Sequence, residues 1–118
     1  MSVSKPVMYG INNCDTIKKA KAWLNENQID FDFHDYKKLG TNETQLKSWV
    51  QEMGWQQLIN QRGTTWRKLD ESRRHSMNDQ DAILVMQENP SIIKRPLLII
   101  GEQKVLGFKA EQYQQLFN

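Results

Sequence analysis

Cys14 is the only cysteine of the chain, and its setting decides what it can do. Asn12-Asn13 precede it and Asp15-Thr16 follow, a turn composition that places the sulfur near the surface. It falls where a strand hands over to a helix. A helix N-terminus presents unpaired N–H groups and about half a positive charge. Both favour a thiolate, and thiols so placed have pKa values lowered to roughly 3.5–7.5. The same N–H groups can seat an oxyanion. Asn12 and Asn13 are counted with that seat as candidate anion-binding residues. With no second thiol, Cys14 cannot form an intramolecular disulfide, a dithiol pair or a multi-cysteine zinc site. Once oxidised, it needs an external thiol to restore it.

Two other thiol chemistries fail on the page. A phosphatase-type loop needs an arginine six residues after the cysteine to clamp phosphate, and Ala20 stands there. A cysteine protease needs a histidine base. His34 lies in a segment of alternating polarity and His75 in the polar run Arg73-Arg74-His75, so both read as solvated side chains. The other informative spot is Arg95-Pro96, which enters the apolar run Leu97-Leu98-Ile99-Ile100. An X-Pro bond at a strand entrance can be cis, and Pro96 is expected to be so. Arg95 carries a planar guanidinium with five donors. Read alone, the pair is a strand-edge proline beside an exposed arginine.

These residues need a frame. Val7–Ile11 reads as a strand ending in a turn. A helix follows from about Asp15 to Asn27, with Ile17, Ala20, Trp23 and Leu24 on one face. Ile29 to Tyr36 alternates as a second strand, which makes a βαβ unit with parallel strands and a right-handed crossover. Asn42 and Gln45 stand at capping-box spacing before a helix burying Leu46, Trp49, Val50 and Met53, with Gly54 as its stop. Trp55–Ile59 is a further helical turn, and the polar stretch 60–81 is loop and short helix. A helix from Asn78 to Glu88 carries Ala82, Ile83, Val85 and Met86 and stops at Asn89-Pro90. Leu97–Ile100 and Lys104–Leu106 are close enough to form an antiparallel hairpin, and a last helix runs from Ala110 to Leu116. Trp23 and Trp49 read as core. Trp66 either lines a cleft or packs the central segment. The order implies an α/β fold of thioredoxin-like arrangement, a mixed four-stranded sheet with an inserted helical segment at about 40–90. In that arrangement the Arg95-Pro96 turn packs against Cys14, and Arg95 points at any anion there.

Composition sets the bounds. The chain has 118 residues, the size of one domain, able to bury roughly two thirds of its unfolded surface. Sixteen Lys+Arg against 14 Asp+Glu leave a net charge of +2, too little to imply a polyanion partner, and no nucleic-acid signature appears. The apolar run at 97–100 is far short of the ~20 residues that span a bilayer. No signal-peptide-like stretch precedes the first strand. A lone reduced thiol suits the cytoplasm.

Four segments together resemble one family. They are Tyr9-Gly10-Ile11-Asn12-Asn13-Cys14-Asp15-Thr16, Arg62-Gly63-Thr64-Thr65-Trp66-Arg67-Lys68-Leu69, Glu88-Asn89-Pro90-Ser91-Ile92-Ile93-Lys94-Arg95-Pro96 and Gly107-Phe108-Lys109. They are similar to the arsenate reductase (glutaredoxin-type)/Spx family, most of all its YffB-like branch, over nearly the whole chain. The resemblance implies a thioredoxin-like fold and Cys14 as the nucleophile. In the arsenate reductases that thiolate attacks arsenate, glutathione resolves the adduct and glutaredoxin reduces the mixed disulfide. The family's basic residues map onto Arg95, Lys109 and, in the insertion, Arg62 as the nearest match. Gly10 stands where the arsenate reductase motif has histidine, and Asn12 where it has proline. Ile17 stands where Spx regulators often have a second cysteine. The resemblance thus implies a glutathione-dependent thiol reductase acting on an oxyanion or a glutathione-mixed disulfide, with glutathione as co-substrate and no resident cofactor. The alternative it carries is an Spx-like regulator that binds RNA polymerase without turnover.

Overall fold

The computed structural model describes residues 5–12 and 14–117. In chain order its elements are β1 (Val7–Gly10), α1 (Asp15–Glu26), β2 (Asp32–Asp35), α2 (Tyr36–Leu39), α3 (Glu43–Met53), α4 (Trp55–Leu58), α5 (Thr64–Arg67), α6 (Glu71–His75), α7 (Asp79–Glu88), a 3₁₀ turn at Pro90–Ile92, β3 (Leu97–Ile100), β4 (Gln103–Leu106) and α8 (Ala110–Phe117). They fall into two compact units. One holds the four strands with α1 and α8; the other is Tyr36–Lys94.

The sheet has the order β2-β1-β3-β4. β1 and β2 run parallel, which α1 makes possible as the crossover, while β3 is antiparallel to both β1 and β4. This mixed sheet with its helices is the thioredoxin-like arrangement. Register explains the core. Phe33, Met8, Leu98 and Val105 stand opposite one another across the four strands. They share one apolar cluster with Ile17, Ala20 and Leu24 of α1 and Tyr113 of α8. Tyr113 is fully buried, with Trp23 and Phe108 edge-on to its ring at centroid distances of 5.6 and 4.8 Å.

β2 is shorter than its alternating pattern suggests, and the end of α1 shows why. The Gln28 N–H reaches the Asn25 carbonyl at 3.1 Å and the Ile29 N–H reaches the Leu24 carbonyl at 2.9 Å. That pair of bonds is a Schellman closure, and Gln28 occupies the left-handed position that glycine usually takes, at φ 58°. Ile29 spends its N–H on the helix and packs against Leu24's cluster. Strand pairing therefore begins later, at Asp32, whose N–H also donates to Pro6. Tyr36 opens a helical turn instead of ending the strand.

In the Tyr36–Lys94 unit, side chains cap both long helices. Asn42 accepts the Gln45 N–H at 2.9 Å and Asn78 accepts the Asp81 N–H at 2.9 Å, each satisfying an orphan donor. Gly54 ends α3 at φ 86°. Trp66 is buried and stacked on Trp55 at 6.1 Å, so it packs this unit. Arg73 joins α6 to both ends of α7 through Asp81 and Glu88, each at 3.0 Å. No helix among the described residues is long and apolar enough to cross a membrane.

Candidate active site

Cys14 is the N-cap of α1, with extended backbone (φ −144°, ψ 126°). Its N–H donates back to the Asn12 carbonyl at 3.1 Å, and its carbonyl accepts the Lys18 N–H at 3.0 Å. The residue is thus pinned on both sides by backbone bonds, while its side chain forms no cap bond of its own. The sulfur is half-buried, packed against the apolar cluster. That burial is the largest single influence on the thiol and pushes its pKa up. Four others oppose it: the Ile17 N–H, the Arg95 side chain as a hydrogen-bond donor, the Thr16 N–H, and the charge of Arg95. Together they prevail, and the thiol lies below its ordinary value. The helix terminus and the guanidinium stabilise the anion more than desolvation penalises it.

Arg95 reaches the sulfur because of where β3 starts. Leu97 pairs with Tyr9, which sets the residues before β3 alongside the end of β1. The Arg95–Pro96 peptide bond is cis, and the buried Pro96 accepts the Gly107 N–H at 2.8 Å. Gly10 leaves the room needed. A β-carbon there would stand 2.5 Å from Ile17 Cδ1 and 3.7 Å from Arg95 Cβ. The end of β1, the first turn of α1 and the Arg95 turn therefore converge on a residue without a side chain. A histidine at this position, as in the motif the segment resembles, would have to displace the buried Ile17.

The other residues read from the sequence are placed differently. Asn12 is exposed, and its Oδ1 accepts from Lys21 Nζ at 3.0 Å. Asn13 lies outside the described residues. Lys109 is exposed, and its carbonyl accepts the Tyr113 N–H at 3.1 Å at the start of α8. Arg62 is exposed in the Tyr36–Lys94 unit, its N–H on Asn60 Oδ1 at 3.2 Å. Lys21 is the residue that sequence reasoning passes over. It follows Cys14 by seven positions, two helical turns, and so shares its side of α1. Among the described residues, no group of His, Cys, Asp and Glu gathers to hold a metal ion. The site brings together a thiol whose pKa is lowered and a guanidinium that donates to it.

The chain matches the model of the ArsC family over residues 9–116. Among solved structures it is similar to the YffB protein, at 45% identity and a TM-score of 0.88, covering 93% of this chain and 96% of that one. It is also similar to an arsenate reductase (ArsC) related protein from Brucella melitensis, at 42% identity and a TM-score of 0.80, covering 97% and 95%. A global transcriptional regulator Spx from Enterococcus faecalis is 27% identical over 92% of this chain and 83% of its own length. On the extent of the family match, the chain belongs to the ArsC family.

Proposed function

We propose that the protein is a glutathione-dependent thiol reductase in which Cys14 forms a transient covalent bond to the substrate or to glutathione. The observation that carries this reading is the half-buried Cys14 thiol, lowered in pKa with Arg95 donating to it. With a glutathione-mixed disulfide as substrate, the Cys14 thiolate attacks the glutathione sulfur and the substrate leaves as its thiolate. A second glutathione thiolate then attacks the Cys14 mixed disulfide, releasing oxidised glutathione and restoring Cys14. With an oxyanion such as arsenate, the thiolate forms a sulfur–arsenic bond as an oxygen protonated by solvent leaves as water; a glutathione thiolate then attacks the Cys14 sulfur, forming the mixed disulfide and expelling arsenite, and a second external thiol restores Cys14. Arg95 binds the anion or a glutathione carboxylate, and we assign Lys109 to the same task. Glutaredoxin is the proposed partner for the resolving step. The arsenate reductase related protein among the relatives supports this class of chemistry.

Intact-mass measurement of protein incubated with oxidised glutathione tests it. One adduct on Cys14, removed by reduced glutathione and absent in Cys14→Ser, is expected. A sulfur that takes no adduct, or an adduct that neither glutathione nor glutaredoxin with glutathione releases, overturns the reading. A second reading is favoured by the Spx regulator among the relatives: a module that docks on RNA polymerase without turnover. Retention of polymerase subunits on the immobilised protein, with no reductase turnover, would favour it over the first.

A further inference from the structure

Asn12, Lys21 and Phe33 come from the loop after β1, the middle of α1 and β2, and they meet in one contact. Lys21 Nζ donates to Asn12 Oδ1 at 3.0 Å and lies 3.7 Å from the centre of the Phe33 ring. An ammonium only donates, so the pairing fixes which way the Asn12 amide faces. A lone surface hydrogen bond would hold little. Here the ring face under the ammonium adds cation–π attraction, and Lys21 is itself half-buried. The contact joins two elements of the sheet unit to the loop that delivers the cysteine.

That loop matters because no side-chain cap bond ties Cys14 to the helix, so the Thr16 and Ile17 N–H groups and Arg95 act on a sulfur placed by its backbone. Its position depends on the backbone around it, and its own N–H is bound to the Asn12 carbonyl at 3.1 Å. Whatever fixes Asn12 fixes the start of the turn that carries the sulfur. We propose that Lys21 is a positioning residue: by tying Asn12 to α1 and to Phe33, it holds Sγ where Arg95 and the first-turn N–H groups act on it. Lys21 itself does not touch the sulfur chemistry. The inference rests on the reading of Cys14 as the nucleophile.

The test is the rate at which the full-length protein reacts with neutral iodoacetamide, measured across pH. Lys21→Met keeps the aliphatic stem and loses the donor. Asn12→Ala removes the acceptor from an exposed loop. Each should slow alkylation at pH 7 roughly fivefold, the scale of one net hydrogen bond. The double variant should be no slower than either single one, because both remove the same contact. Lys21→Arg should retain most of the rate. A Lys21→Met rate equal to the parent, effects that multiply in the double variant, or failure of arginine to rescue overturns the proposal. So does a slowing that vanishes in 1 M salt, where the Debye length is about 3 Å, since Lys21 would then act only as a distant charge. Should Lys21→Met not fold, Asn12→Ala decides alone, and an unchanged rate there is a refutation. The assay contains no glutathione. Failure of the reductase reading would appear as a missing glutathione adduct while the alkylation result stood.

Discussion

Gly10→Ala should destabilise the protein, and the size of the loss follows from the packing around it. The added carbon would stand 2.5 Å from Ile17 Cδ1 and 3.3 Å from Ile17 Cγ1. Ile17 is fully buried in the cluster of Met8, Leu24 and Tyr113, so its Cδ1 can give way only by moving against that packing. Overpacking of this kind costs about 1–3 kcal/mol. Gly10 is not a positive-φ glycine, so alanine meets no backbone penalty and recovers about 0.5–1 kcal/mol that glycine costs a strand. From the middle of each range the net loss should be about 1 kcal/mol, a fall of a few degrees in Tm for a chain of this size. Urea titration at constant m-value measures it. The cause is checked by coupling. Ile17→Val removes the clashing Cδ1 and alone should cost about 0.5–1.5 kcal/mol, but combined with Gly10→Ala it should cost about 1 kcal/mol less than the sum. If Gly10→Ala is as stable as the parent, or the two changes simply add, Ile17 does not hold that space and the steric account of the position is wrong.

Arg95→Met should move the pH midpoint of Cys14 alkylation upward, because Arg95 acts on the thiol both as donor and as charge. The sign for stability follows: a thiol depressed in the folded state contributes stability that is full above the unfolded thiol pKa and is lost as pH falls through the folded one. Parent stability should therefore rise with pH across that window, and Arg95→Met should flatten the rise; an unchanged slope in urea titrations at stepped pH would count against the assignment. Gln28→Gly should gain about 1 kcal/mol by relieving a left-handed residue at φ 58°, and a lower Tm would show that the Gln28 side chain contributes what the structure does not reveal. Tyr113→Phe should be neutral or stabilising by about 1 kcal/mol in a thermal melt, since the phenol oxygen is buried with no hydrogen-bond partner among the described residues; a large loss would mean that the hydroxyl is satisfied.

What was legible in the sequence is what bonds within a turn of itself. Asn42 and Asn78 cap their helices through N–H groups three residues on, and Gly54 ends α3 through its own dihedral. The β3–β4 hairpin closes over Gly101-Glu102, and Cys14 lies where turn residues meet an amphipathic run. The start of β2 was misjudged because its alternating pattern was sound while its first residues were already committed: Ile29's N–H is held by Leu24 through a closure whose left-handed residue is glutamine. No glycine marks it. Lys21 was invisible for a related reason. Its partners Asn12 and Phe33 come from either side in sequence, and only the parallel pairing of β1 with β2 brings them to one helix.

The position of Arg95 shows how local and distant information divide at the site itself. Residue type says that a guanidinium preceding a strand can hold an anion. That it reaches the Cys14 thiol depends on Leu97 pairing with Tyr9, which brings Arg95 alongside Gly10, where a β-carbon would touch Arg95 at 3.7 Å and press on Ile17 at 2.5 Å. The same glycine stands where the family motif has a histidine, and the thiol is left with backbone N–H groups and an arginine. The activation of Cys14 is thus built from the first turn of α1 and the turn before β3, two segments that only the folded sheet brings together.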